Sequence, residues 1–156
     1  MLKVVIVEDE DIIRKGLVCT VDWQSMGACV VGEAADGEQG LQVVREQQPD
    51  VVLTDIRMPR LDGLESARAI RNLPRDDART VPIIAMTANA IEGDREKCLD
   101  AGMDDYMSKP ISQKEILEKI DFWKDKKSQF KSNSLQCFYT KSVSSPLFRA
   151  TSNLVF

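Results

Sequence analysis

Asp55 follows the apolar run Val51, Val52, Leu53 and precedes Ile56, Arg57, Met58, Pro59 and Gly63, and no residue constrains the chemistry of this chain more. Such a run reads as a buried parallel strand, and an acid at its end is delivered to the carboxyl edge of the sheet, where open α/β folds build their sites. Glu8 and Asp9 stand in the same relation to residues 3–7, and Thr87 to residues 83–86. Lys109 follows a shorter extended piece and directly precedes Pro110. Three acids, a hydroxyl and a lysine at successive strand ends describe a site for a hard cation and a phosphoryl group.

Each of these residues has a plainer meaning on its own. Adjacent acids are ordinarily solvated surface, and a lone Asp55 would be a helix cap. Thr87 alone would be a strand-end hydrogen bond and Lys109 a surface lysine. Held together, however, clustered carboxylates repel until a proton or a cation relieves them. Mg²⁺ is the expected ion, with oxygen ligands at about 2.0–2.1 Å and several retained waters. With its charge partly neutralised, Asp55 can act as a carboxylate nucleophile on phosphorus and form an acyl phosphate. Thr87 and Lys109 are the donor types that compensate phosphoryl oxygens without consuming a proton. Pro110 confines the backbone of Lys109 to extended geometry and permits a cis bond, which sets where the lysine leaves its strand.

The elements needed to place these groups are legible as five alternations of apolar run and helix-period segment, the pattern of a doubly wound parallel sheet with helices on both faces. Strands are expected near residues 3–7, 29–33, 51–54, 82–86 and 104–108. The first helix is expected over 11–21 with Ile13, Leu17 and Val21 turned to the sheet. The second starts after Asp36 and Gly37, buries Leu41 and Val44 and stops before Pro49, and the third begins near Asp62 and aligns Leu64, Ala67 and Ile70. The fourth runs over 89–101 to a left-handed cap at Gly102. Ser112 and Glu115 read as a capping box ahead of Ile116, Leu117, Ile120 and Trp123.

At 156 residues the chain accommodates one domain and a short extension. Residues 1–124 form the expected domain, and 125–156 a Ser-rich tail in which Lys126, Lys127, Lys131, Lys141 and Arg149 face Asp125 alone. That leaves the tail at +4 and the rest at -8 within a total of -4. An acidic domain excludes a nucleic-acid footprint over its whole surface. The tail also holds Phe138, Tyr139, Phe148 and the terminal Leu154, Val155 and Phe156, too many large apolar residues for a purely solvating segment, and is expected to act mainly as an inert arm. Cys19, Cys29, Cys98 and Cys137 form no C-x-x-C pair, which fits reduced cytoplasmic thiols. No signal-peptide layout or membrane-length apolar run is present. The chain contains no histidine, so a phosphohistidine donor must lie on another molecule.

The segments "VEDE", "LTDIRMPRLDG", "IIAMTANA" and "YMSKP", taken together, resemble the receiver domain of two-component response regulators over residues 1–124. The resemblance implies a flavodoxin-like fold and a phosphoryl group accepted on Asp55 from a histidine kinase or histidine phosphotransfer protein. It further implies Mg²⁺ held by Asp9, Asp55 and the Arg57 backbone carbonyl, with Glu8 acting mostly through water, and phosphoryl oxygens bound by Thr87 and Lys109. Tyr106 would be the switch aromatic, altering a face made by the fourth helix, fifth strand and fifth helix, through which a homodimer could form. Glu8 departs from the more frequent Asp. The segment Val21, Asp22, Trp23 with Gly27 is similar to receivers joined to AraC-type DNA-binding domains, while "TVPIIAMTANA" is similar to receivers of hybrid histidine kinases. Nothing in the tail resembles a helix-turn-helix domain, so a stand-alone receiver, or one cut from a longer protein, is expected. An aspartyl-phosphate phosphatase of the haloacid-dehalogenase type is the rival enzyme, but it wants a second Asp two residues after the nucleophile, where this chain has Arg57. A pseudo-receiver that only binds partners is disfavoured by the complete set of site residues.

Overall fold

The computed structural model describes residues 1–88 and 92–126. Its strands are β1 (Leu2–Val7), β2 (Ala28–Ala34), β3 (Val51–Asp55), β4 (Ile83–Thr87) and β5 (Asp105–Ser108). All pair in parallel in the order β2-β1-β3-β4-β5, so β1, β3 and β4 are interior and β2 and β5 are edges. The helices are α1 (Asp11–Thr20), α2 (Gly37–Gln47), α3 (Gly63–Arg71) and α4 (Glu92–Asp100). A further helix, α5, begins at residue 113. The register of β1 on β2 shifts between Val4 and Val5, which leaves Val31 as an extra residue in β2.

The sheet is covered on both sides, as its continuous apolar strands demand. Val5, Val7, Val52, Ile83 and Ala85 pack with Val44 of α2 and Ala67 and Ile70 of α3. Their alternates Val4, Ile6, Leu53, Ile84 and Met86 are equally buried and point to the opposite face. Burying each such side chain contributes about 1.5–3 kcal/mol. Asp36 caps α2 by accepting the Gln39 amide, and Asp62 and Glu65 form a full capping box on α3. Gly102, at φ +87°, follows α4 in the left-handed conformation expected of it.

Several sequence expectations need correction. Helix α1 ends at Thr20, and Val21 is already extended. Its buried residues are Arg14 and Leu17, whereas Ile13 and Val21 are only half-buried and Ile12 is 88% exposed. Ser112 Oγ accepts the Glu115 amide at 3.1 Å, which is one half of the expected box. Leu117 is exposed, while Ile116 and Ile120 are buried. The expected start of α4 at 89 falls outside the described residues.

By its contacts the chain divides into Met1–Asp121 and Phe122–Phe156. The described part of the second unit, residues 122–126, is helical, with the Lys126 ammonium 4.8 Å from the ring centre of Phe122 and 4.6 Å from that of Trp123. The rest of the basic tail, with Cys137, Phe138, Tyr139 and Phe148, lies outside the described residues. Cys19, Cys29 and Cys98 are free thiols, and burial pushes the Cys98 thiol up from its ordinary value. Among the described residues no helix is long and apolar enough to cross a membrane.

Gly16 lies inside α1, yet a Cβ built there has nothing within 4 Å. Glycine in a helix interior costs about 0.5–1 kcal/mol relative to alanine, so Gly16→Ala is expected to raise stability by that amount. Urea unfolding will read this as a higher midpoint at unchanged slope. A lower midpoint would contradict the open surface beside Gly16.

Candidate functional site

Parallel strands all deliver their carboxyl ends to one edge, and β1, β3 and β4 together with the residues after β5 bring Glu8, Asp9, Asp55, Thr87 and Lys109 there. Carboxylate oxygens of Glu8, Asp9 and Asp55 lie within 4.8 Å of one another. Glu8 is completely buried, Asp55 and Thr87 are 7% exposed, and Asp9 is half-buried. Lys109 Nζ lies 2.8 Å from Glu8 Oε2 and 3.2 Å from Asp55 Oδ2. The other Asp55 oxygen, Oδ1, accepts the Ile56 amide at 2.8 Å. The Lys109 amide donates to the Thr87 carbonyl at 2.7 Å, and the Lys109–Pro110 bond is cis.

The electrostatics follow from burial. Desolvation pushes the Glu8 carboxyl up from its ordinary value, and the Asp55 charge adds to the push, while Lys109 and the Glu10 amide pull it back. Burial also works against the Lys109 charge, but its carboxylate partners outweigh that and hold the ammonium above its ordinary value. Glu8 Oε2 has that ammonium beside it but makes no well-directed hydrogen bond. One lysine does not neutralise three acids. Hard oxygen donors in excess of their counter-charge, spaced this closely, fit a small divalent cation.

The turn after Asp55 carries Arg57, whose side chain is exposed, and the buried Met58. Gly63 opens α3 so close to this turn that its amide donates to the Ile56 carbonyl at 3.0 Å. Tyr106 is half-buried on β5, with Lys119 Nζ 5.8 Å from its ring centre and 2.6 Å from Asp105 Oδ1. With Arg95, Cys98, Leu99, Asp104 and Asp105 it lines a cavity of about 70 Å³ between α4 and β5.

Three cations that sequence reasoning passed over also organise the molecule. Arg14 is 8% exposed and donates to the Glu8 carbonyl at 2.6 Å. Arg60, in the left-handed region at φ 68°, pairs with the buried Asp36 at 2.9 Å and ties the turn after β3 to the start of α2. Arg71 donates to the carbonyls of Gly102, Ala78 and Val81 and to Asp104, which in turn accepts the Ile83 amide. A signal existed for Arg14 alone, since four consecutive acids from Glu8 to Asp11 call for a nearby cation.

The chain is specifically similar to known proteins in both sequence and structure. The sequence profile described as the response regulator receiver domain matches residues 4–121. The hybrid signal transduction histidine kinase I of Dictyostelium discoideum is 44% identical over 93 residues, which is 56% of this chain and 5% of that protein. The structure is similar to the REC domain of AraT, a response regulator from Geobacillus stearothermophilus, with TM-score 0.73 and 30% identity over 83% of this chain and 98% of the other. It is also similar to the receiver domain of sensor histidine kinase PA1611 from Pseudomonas aeruginosa PAO1, with TM-score 0.66 and 39% identity over 78% and 96% of the two chains. That structure has a magnesium ion coordinated in its active-site cleft. The chain spans about half or less of the length of the curated relatives it matches.

Proposed function

The chain belongs to the response regulator receiver domain family, and from that premise we propose that it accepts a phosphoryl group on Asp55 from a phosphohistidine of a kinase or phosphotransfer protein. The observation that carries this reading is Asp55 itself, buried beside two further acids with one oxygen fixed by a backbone amide and the other turned to Lys109. A carboxylate oxygen of Asp55 forms the new O–P bond as the P–N bond of the donor breaks and the imidazole leaves. The Lys109 ammonium, still protonated, then shifts its ion pair from Asp55 to an added phosphoryl oxygen, and the Thr87 hydroxyl donates to another of them.

Asp9, Asp55 and the Arg57 carbonyl would ligate Mg²⁺, with Glu8 contributing through water. Bound magnesium neutralises the charge that accumulates between the acids and the incoming phosphoryl group. The chain thus promotes only its own phosphoryl uptake and loss. The added charge of roughly -1.5 to -2 draws Thr87 toward it, and Tyr106 on the neighbouring strand follows and changes the face of α4, β5 and α5. Leu99 on α4 and Leu117 on α5, both exposed, suit that face to pairing with a second copy or an output partner. The acidic net charge supports a protein partner over direct nucleic-acid binding. Free thiols, and a donor that must lie on another protein, support a cytoplasmic setting.

The test is intact-mass spectrometry of the chain incubated with acetyl phosphate. With Mg²⁺ one acid-labile phosphoryl group is expected, and with a chelator in place of Mg²⁺ essentially none. Undiminished uptake in the chelator would overturn the metal-dependent reading.

A further inference from the structure

The turn that carries Glu8 and Asp9 lacks the usual fastening. Glu10 stands at the N-cap of α1 with extended backbone and no side-chain hydrogen bond to the helix. Four consecutive acids occupy this turn and the first helical residue, so their mutual repulsion favours opening it. Arg14 opposes that opening. Its side chain is 9% exposed and reaches three elements at once: one terminal nitrogen donates to the Glu8 carbonyl at 2.6 Å, the other pairs with Asp11, and Nε lies 3.3 Å from Glu33 Oε2 on β2.

We propose that Arg14 is a positioning residue for the metal site, its planar fork fixing the Glu8 carbonyl so that the Asp9 carboxylate is held at the ion. Its partners are the Glu8 carbonyl, Asp11 and Glu33, not the carboxylates of Asp9 and Asp55; it grips the backbone between the end of β1 and Asp9. A guanidinium suits this task because it presents several donors in fixed directions, which a flexible ammonium does not. The inference rests on the metal site proposed above.

The sign of the effect separates positioning from mere charge. Arg14 carries a positive charge close to a cation site, so simple Coulomb repulsion predicts that removing it tightens Mg²⁺ binding. Loss of positioning predicts the reverse, on the scale of about tenfold or more seen when residues that orient metal ligands are removed. The experiment titrates Mg²⁺ alone into the whole chain, followed by calorimetry and by backbone amide shifts of Asp9 and Asp55, for wild type, Arg14→Met and Arg14→Lys. Thermal unfolding in metal-free buffer runs in parallel. Arg14→Met is expected to bind about tenfold more weakly while remaining folded, and Arg14→Lys, which keeps the charge and one donor, to fall between it and wild type. Should Arg14→Met fail to fold, weaker binding by folded Arg14→Lys supports the proposal and wild-type binding by it overturns it. Equal or tighter binding by folded Arg14→Met overturns it outright. A wild-type chain that binds no Mg²⁺ would overturn the metal site as well, whereas wild-type binding with an unaffected Arg14→Met would remove only the role of Arg14.

Discussion

Asp55→Asn is expected to reduce phosphoryl uptake from acetyl phosphate to background, a loss of about 10³-fold or more on the scale that removal of a nucleophile produces. An amide oxygen in the same place can still accept the Ile56 amide that Asp55 Oδ1 accepts at 2.8 Å. What the variant lacks is the negative charge that makes the carboxylate a nucleophile and a hard ligand. Lys109 retains Glu8, 2.8 Å away, so the ammonium is not stranded and the fold survives. The check is intact mass with peptide mapping after incubation with Mg²⁺. A phosphoryl group on another residue of the variant at the wild-type level would remove Asp55 from its proposed role.

Gly63→Ala carries the largest expected penalty to stability. A Cβ at this position would stand 2.1 Å from the Asp55 carbonyl oxygen, 2.9 Å from the Ile56 Cα and 3.0 Å from the Asp55 carbonyl carbon. All three are backbone atoms of the last residue of β3 and the residue after it, so no side chain can swing aside to relieve the clash. Overpacking of this kind costs about 3 kcal/mol, which lowers the melting temperature by roughly 10 °C in a domain of this size. Because two of the obstructed atoms belong to Asp55 and the third to the next residue, the surviving folded fraction should also accept phosphate more slowly. A wild-type melting temperature would show that α3 can shift away from β3. Gly16→Ala, with open space around its Cβ, is the contrasting substitution and moves stability upward.

Residues whose placement depends on one strand were legible in the sequence, and residues whose placement depends on several elements were not. Asp55, Thr87 and Glu8 end apolar runs, and a run of Val, Ile and Leu identifies a buried parallel strand with its direction. The sequence conceals Arg14 because Ile13, Leu17 and Val21 offer an apolar helical period in α1, although the face that is buried is the one carrying Arg14 and Leu17. An arginine is buried only when acceptors arrive from elsewhere, here the Glu8 carbonyl and Glu33. Arg71 is the same case at the start of the next strands, where it collects carbonyls from 78, 81 and 102. Leu117 fails for the opposite reason, since a helical repeat records that a residue is apolar and not whether anything covers it.

The extra residue Val31 sits in an edge strand, the place where a sheet is most prone to recruit another chain. A flat β2 of seven residues would present a regular ladder of unpaired amides and carbonyls to any neighbouring molecule. The bulge interrupts that ladder and increases the local twist, which disfavours a second strand running in register along it. The register shift thus makes β2, at the side of the sheet away from β5, a poorer template for edge-to-edge pairing than a flat strand of the same length.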